Sequence, residues 1–380
     1  MKILYVINRM EQLAGIERIL SRKMNYLADN IEYKIMLTTY EQQNKPFSFP
    51  ISNKIEYVPF EALTAERKNA SFATWIINSI RARRIFSQKF TNLLDTVKPD
   101  IVIATSYSFS VLDIIINTSS QRGIKTIFES HVQGETVSMS KYIANHMVRQ
   151  LFVFWDRHIM NSLKRCSCVV TLTNGDVAYW KNYASRIEVI PNILTVEPKP
   201  VKDYSVKRVI CAGRYAPQKG YDLLLDAWRQ LAYHYSDWQL YIFGNGDRSP
   251  YQKIVNRLGL GNSVHLMNAT QDIVDEFTQS SIYIMSSRFE GFGLVLAEAM
   301  ACGLPCISFD CPHGPRDIIR NGEDGLLVEN GNIQALAQAL EHLITDEELR
   351  QTMGQHAAQN ITRFSPDTIM EQWLELFNKL

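Results

Sequence analysis

The sequence predicts an α/β protein made of two Rossmann-like domains with parallel sheets, facing each other across an interdomain cleft. Two observations carry this. Short apolar runs rich in Val and Ile alternate with helix-length segments along the chain. A proline-rich stretch near the middle then divides those runs into two series. The length of 380 residues fits two or three domains at roughly 150 residues each.

The first series is Ile3–Ile7, Tyr33–Thr38, Ile101–Ala104, Thr126–Glu129, Cys168–Leu172 and Ile187–Ile190. The second is Arg208–Cys211, Gln239–Phe243, Val264–Leu266, Ile282–Met285, Pro305–Ser308 and Leu326–Val328. Runs this short and this apolar read as strands buried on both faces, which is the condition of a parallel strand. Repeated β-then-α order gives doubly wound sheets. The divide falls at Pro191-Asn192-Ile193-Leu194-Thr195-Val196-Glu197-Pro198-Lys199-Pro200. It leaves an N-terminal domain over 1–193 and a C-terminal domain over 200–364. A last helix over about 365–380 starts at Ser365-Pro366-Asp367, with Ser at the cap, Pro in the first turn and Asp at the positive dipole end. Trp373, Leu374, Leu376 and Phe377 give it an apolar face, expected to pack back on the N-terminal domain.

With 46% hydrophobic and 21% charged residues, the chain is neither disordered nor collagen-like. It is long enough to bury a core without disulfide or metal staples. Six irregularly spaced cysteines read as reduced thiols rather than a secreted framework. Met1-Lys2 leads directly into the first apolar run without a signal-peptide pattern, and no run of 18 apolar residues occurs. The expectation is a cytoplasmic protein, peripheral on the inner face of a membrane. The charge is uneven: residues 1–195 hold 24 Lys+Arg against 16 Asp+Glu (+8), and the remainder 16 against 23 (−7). A basic half suits anionic lipid, phosphate or nucleic acid. Two segments concentrate it: Trp75–Phe86, with Arg81, Arg83 and Arg84, and Met147–Arg165, with Phe152, Phe154, Trp155, Arg157 and Lys164. Basic amphipathic segments of this kind can lie on anionic membranes.

Chemistry concentrates after the predicted strands, where ligands of open α/β sheets bind. Ser286-Ser287-Arg288-Phe289-Glu290-Gly291-Phe292-Gly293-Leu294 follows one strand and opens a helix that ends at Gly303. Glycines before a helix let backbone N–H groups approach an anion at its positive end, so Gly291, Phe292, Gly293 and Leu294 form a phosphate cradle. Glu290 and Glu298 are eight residues apart, about 12 Å along a helix. Hydrolase carboxylate pairs sit at about 5–9.5 Å, so this pair suits two grips on one elongated ligand. Gly213-Arg214-Tyr215-Ala216-Pro217-Gln218-Lys219-Gly220 lies between another strand and helix, where Arg214 and Lys219 can clamp a pyrophosphate. Gly244-Asn245-Gly246 lacks the third glycine of a dinucleotide fingerprint, because position 249 is Ser. No metal is expected: neither Cys302-x3-Cys306 nor Cys166-x-Cys168 has zinc spacing, and no Asp-x-Asp occurs.

The pattern Phe-Glu-Gly-Phe-Gly…Glu-Ala-Met-Ala-Cys-Gly over 289–303 resembles the retaining GT-B glycosyltransferases of the glycogen-synthase-like group, glycosyltransferase family 4. Pro305–Ile319 resembles its capsule, O-antigen and lipopolysaccharide branch, with Asp317 where the family usually has Glu. The resemblance implies that the N-terminal domain binds acceptor and the C-terminal domain binds nucleotide sugar. It assigns Glu290 to donor-sugar hydroxyls, Glu298 to the ribose, and Arg214 and Lys219 to the diphosphate. Gly244 walls the nucleotide pocket, and Met267-Asn268 meet the base through backbone. Leu13-Ala14-Gly15 resembles the family's Gly-Gly loop with Ala14 replacing one glycine, so Gly15 lies under the donor phosphates. His131, in Glu129-Ser130-His131, matches the family's interdomain histidine that touches the donor sugar, and Thr173-Asn174 face the cleft.

These expectations add up to a retaining, metal-independent enzyme without cofactor. It moves a hexosyl group from a nucleoside diphosphate sugar, a UDP-hexose or UDP-N-acetylhexosamine, to a hydroxyl of a growing, lipid-linked bacterial surface glycan. Its partners are that donor, the acceptor and an anionic membrane surface, with no nucleic acid. The alternative is a nucleotide-sugar epimerase of the same two-domain fold.

Overall fold

Ile3-Leu4-Tyr5-Val6-Ile7 does not alternate apolar with polar, so a strand built from it must be covered on both faces. In the computed structural model, which describes residues 1–12, 15–62, 72–137, 140, 146–201 and 203–380, this strand is β1 (Lys2–Ile7), and residues 3–7 are fully buried inside a sheet.

The chain forms two units: Met1–Ile193 with Ile369–Leu380, and Leu194–Thr368. The first continues through α1 (Gly15–Asp29), β2 (Lys34–Thr39), β3 (Glu56–Tyr57), α2 (Phe72–Val97), β4 (Ile101–Thr105), α3 (Leu112–Ser120), β5 (Lys125–Glu129), α4 (His146–Ser162), β6 (Cys168–Thr171), α5 (Val177–Trp180) and β7 (Ile187–Val189). Its sheet runs β3-β2-β1-β4-β5-β6-β7, parallel at every pairing. The second unit holds β8 (Arg208–Ala212), α6 (Tyr221–Ala232), β9 (Gln239–Gly244), α7 (Ser249–Leu258), β10 (Val264–Asn268), α8 (Ile273–Thr278), β11 (Ile282–Met285), α9 (Leu294–Ala301), β12 (Cys306–Asp310), α10 (Pro315–Ile318), β13 (Gly325–Glu329), α11 (Ile333–Thr345) and α12 (Glu347–Asn360). Its sheet runs β10-β9-β8-β11-β12-β13, also parallel. Both orders reverse direction once, between β1 and β4 and between β8 and β11. Such a switch point opens a crevice at the carboxyl ends, because the connections on either side leave in opposite directions.

Each unit has its own core. Val209, Leu240, Ile242, Ile282, Ile284 and Ile307 meet Leu224, Trp228 and Leu340 in the second. Leu4, Val102, Phe128 and Val169 meet Phe86, Phe90, Ile115 and Ile159 in the first. All six cysteines are buried free thiols. The final helix, α13 (Pro366–Asn378), starts behind Ser365, whose hydroxyl accepts from the Thr368 amide at 3.3 Å. From Ile369 onward it belongs to the first unit, with Trp373, Leu376 and Phe377 buried there.

Two differences from the sequence reading matter. β3 was not legible, being two exposed residues at the sheet edge, where Glu56 meets Lys34 Nζ at 3.1 Å and Tyr57 Oη meets Thr39 Oγ1 at 2.7 Å beside the backbone pairing. Several strands also outlast their apolar runs: Met267 and Asn268 are the last residues of β10, paired with Phe243 and Gly244 of β9, rather than loop residues beyond it. Ladder bonds use backbone groups, so pairing continues where the side chains turn polar.

The first unit buries a charge cluster. Lys23 on α1 donates to Glu129 Oε1 at 2.5 Å, with both side chains 2% exposed. The Trp373 ring covers the ammonium at 3.5 Å. Burial alone would raise the Glu129 carboxyl, but Lys23 and then His131 more than offset this and hold it at about 2. A carboxyl depressed in the folded state contributes stability above its unfolded value, and that stability is lost as pH falls towards the folded one. Between pH about 4.5 and 2, urea denaturation should therefore lose on the order of 3 kcal/mol that a Lys23→Met, Glu129→Leu double variant does not lose. Parallel acid limbs in the two proteins would contradict this.

Candidate active site

At the second unit's switch point, the loop after β8 (213–220) meets the loop after β11 (286–293). Backbone and short side chains join them: the Arg288 amide donates to Gln218 O at 2.8 Å, Ser286 Oγ to Lys219 O at 2.9 Å, and Gln218 Nε2 to Phe289 O at 2.9 Å. Arg288 adds a fork, donating from Nη1 and Nη2 to both Asp222 oxygens at 2.9 and 2.6 Å and from Nη1 to Pro217 O. A bidentate guanidinium fixes geometry as well as charge; these bonds hold the Asp222 carboxyl below its ordinary value.

Lys219 and Glu290 meet inside this frame. The Lys219 ammonium donates to Glu290 Oε1 at 2.6 Å, and Ser287 Oγ donates to the same oxygen at 2.6 Å. Glu290 is buried and Lys219 is half-buried. The Glu290 amide is tied at 3.3 Å to Pro312 O in the loop after β12, so the loops after three strands meet at this residue. Arg214 lies on the same loop as Lys219, but its side chain is exposed and makes no ion pair among the described residues.

Gly293 caps α9 at φ +99°, a left-handed conformation that L side chains resist, and no side chain caps the first amides of this helix. Gly291 and Leu294 flank it half-buried. The Phe292 ring is core, edge-on to Phe364 at 5.4 Å, so a ligand at this position would meet its backbone. Glu298 lies buried within α9 and accepts from Thr195 Oγ1 at 2.6 Å. Gly244 ends β9 against the backbone of the loop after β8. Tyr215 Oη lies 2.6 Å from Ile242 O and 2.9 Å from Met267 O, which ties that loop to the ends of β9 and β10. Met267 and Asn268 are exposed.

In the first unit, Gly15 is the exposed first residue of α1, while Leu13 and Ala14 fall outside the described residues. His131 follows β5 with its imidazole buried beside Glu129. Thr173 is buried, and Asn174 next to it is exposed. Among the described residues no group of three His, Cys, Asp or Glu could hold a metal ion.

The sequence pointed to Lys219 and Glu290 separately, as phosphate and sugar ligands; their contact comes from strand order. Ser287 and Thr195 were missed. Ser287 adjoins the recognised motif, whereas Thr195 sits in the proline-rich stretch, 103 positions from its partner, and carried no signal.

Residues 194–360 match the family model described as glycosyl transferases group 1. An uncharacterized glycosyltransferase of Haemophilus influenzae is 28% identical over 98% of this chain and 98% of its own length. The amylovoran biosynthesis glycosyltransferase AmsD of Erwinia amylovora is 26% identical over 99% of both. An exopolysaccharide phosphotransferase of Streptomyces coelicolor is 25% identical over the whole chain, which spans 41% of that relative's length. Among solved structures, TarM superposes with a TM-score of 0.76 at 16% identity, covering 100% of this chain and 99% of that one. Anabaena HepE in complex with UDP and glucose gives 0.72 at 18%, covering both chains fully. These likenesses establish the fold.

A Cβ built on Gly244 would lie 2.0 Å from Gly213 O. Gly244→Ala should therefore push the loop after β8 away and lower stability by about 1–3 kcal/mol, the usual cost of overpacking. Thermal unfolding reads this directly, and an unchanged melting temperature would show that the loop yields freely.

Proposed function

We propose that the chain is a retaining glycosyltransferase that moves a hexosyl group from a UDP-hexose or UDP-N-acetylhexosamine to a hydroxyl of a growing, lipid-linked bacterial surface glycan. The observation that carries this reading is the Lys219–Glu290 pair at the switch point, set beside the uncapped amides of α9 in a group 1 domain. The name of the Erwinia relative supports the glycan class, and the UDP and glucose bound by HepE support the donor.

Without donor, Lys219 and Glu290 neutralise each other. Donor binding exchanges partners: the diphosphate takes the ammonium, and a sugar hydroxyl donates to the released carboxylate. Arg214, with no competing ion pair, reaches the same phosphates, and Glu298 holds the ribose. As the bond between the anomeric carbon and the phosphate oxygen breaks, negative charge grows on the diphosphate, where Arg214, Lys219 and the α9 amides stabilise it. The acceptor oxygen bonds to the anomeric carbon on the same face, its proton passes to the departing phosphate oxygen, and configuration is retained. These cations take the role of a metal. Met267 and Asn268 meet the base through backbone.

A panel of nucleotide sugars, with and without saccharide-lipid acceptor and in the presence of EDTA, tests this by nucleotide release. Acceptor-dependent release in EDTA is expected; conversion of the donor to its epimer without acceptor would replace the reading with an epimerase. Glu290→Gln should lower turnover at least tenfold and leave free UDP affinity near wild type, because UDP has no sugar to contact it. Glu298→Gln should weaken UDP binding on the order of tenfold, the loss of a charged hydrogen bond of about 1.5–3 kcal/mol. Calorimetric titration separates the two, and the opposite pattern would reverse the roles.

Lipid linkage draws support from the first unit's outer surface. Ile77, Ile80, Arg81 and Arg84 recur at helical spacing on α2, all exposed, and Ile77 and Ile80 are 65% and 59% exposed. Phe154 on α4 is 71% exposed beside exposed Arg157. Arg83 stacks over Trp155 at 4.5 Å and joins the two helices. The side chains of Trp75, Ile76 and Met147 fall outside the described residues. Among those described, no helix is long and apolar enough to cross a membrane. Flotation should show binding to anionic but not neutral vesicles, weakening with salt as screening shortens to about 8–10 Å, and Arg81→Glu with Arg84→Glu should abolish it. Equal flotation with neutral lipid at low salt would remove the idea.

A further inference from the structure

The proline-rich stretch enters the second unit at Leu194 and is tied to α9 at three levels. At the start of the helix, the Leu194 amide donates to Phe364 O at 2.9 Å, and the Phe364 ring meets Phe292, beside the cap residue, edge-on at 5.4 Å. In the middle, Thr195 Oγ1 donates to Glu298 Oε1 at 2.6 Å. At the end, the Val201 amide donates to the carbonyl of the cap residue Cys302 at 2.8 Å, and Tyr204 Oη donates to Gly303 O at 2.8 Å. The backbone ties set where the stretch lies along the helix. The Thr195 tie ends on a carboxylate instead.

Glu298 and Thr195 are 1% and 4% exposed. An ionised carboxylate out of water keeps its place only while hydrogen-bond donors hold it. Threonine suits the task, because branching at Cβ restricts χ1 and an anchored backbone then fixes where the hydroxyl points. A glutamate on a helix has several rotamers open to it. A bond to Oε1 selects one and sets the plane of the whole carboxyl group. We propose that Thr195 is a positioning residue for nucleotide binding: its hydroxyl sets the orientation in which Glu298 accepts from a ribose hydroxyl. This rests on the ribose role proposed above for Glu298. The stretch that joins the two sheets thereby belongs to the nucleotide site without contacting the ligand.

Calorimetric titration of the full chain with UDP and with 2′,3′-dideoxy-UDP, which lacks both ribose hydroxyls, tests this. The wild type should prefer UDP by about tenfold, the size of one charged hydrogen bond. Thr195→Val keeps the shape and removes the donor; it should weaken UDP about fivefold and leave dideoxy-UDP near wild type. Thr195→Ser restores a donor and should recover UDP affinity. Thr195→Val added to Glu298→Gln should weaken UDP no further than Glu298→Gln alone, because both act through one contact. If the valine variant does not fold, Thr195→Cys, with only a weak S–H donor, should show the same selective loss. Equal weakening of both nucleotides by Thr195→Val, or additive losses in the double variant, would mark a purely structural role and overturn the proposal. Selective loss of UDP in Glu298→Gln, with Thr195→Val binding both nucleotides as the wild type does, would overturn the Thr195 role alone. Equal weakening of both nucleotides by Glu298→Gln would overturn the ribose role and this proposal with it.

Discussion

A parallel strand must be covered on both faces, and its chain must return by a crossover to begin the next strand at the same end. Everything else here follows from that constraint. All the carboxyl ends of a sheet lie along one edge, so the loops that leave them are neighbours in space however distant in sequence. Lys219 and Glu290 are 71 positions apart and in contact at 2.6 Å because β8 and β11 are adjacent strands. Glu129 and Lys23 are 106 positions apart and meet because α1 packs over the first sheet.

The two lysine–glutamate pairs use the same chemistry at different depths. Lys23 and Glu129 are both 2% exposed. Neither can find water if the other is removed, so each depends on its partner for its charge. Lys219 is 18% exposed and Glu290 9%. That pair is partly open to solvent, so either charge could be hydrated if the pair separated. Burial separates a fixed electrostatic support from an exchangeable one, a distinction that sequence carries poorly because both pairs read simply as Lys and Glu near strand ends.

The interlocked loops show how precision is obtained without regular structure. Arg288 grips Asp222, Gln218 grips Phe289 O, and Gly244 lets the β9 end lie against Gly213 O. The glycines, the fork and the hydroxyls act on backbone positions more than on any ligand. They hold Lys219 on Glu290, so the cost of arranging these groups is met during folding.

From sequence alone, the parallel two-sheet plan was readable, because fully apolar strands admit few other homes. So was the concentration of chemistry in 213–220 and 286–298, because glycines and charges after an apolar run mark the loops that ligands reach. Glu290, Glu298, Arg214 and Lys219 were named from that pattern and from family resemblance. Strand ends were read short at Met267 and Asn268, since backbone pairing leaves no mark on side-chain pattern, and β3 left none at all. Contacts were out of reach. Ser287 on Glu290, Thr195 on Glu298, Lys23 on Glu129 and Trp373 over Lys23 join segments whose separations only the folded chain closes. Local sequence fixes what each element can be, through periodicity and turn chemistry. Which charges neutralise one another, and which stay open to a ligand, depends on strand order and burial, and those exist only once the chain has folded.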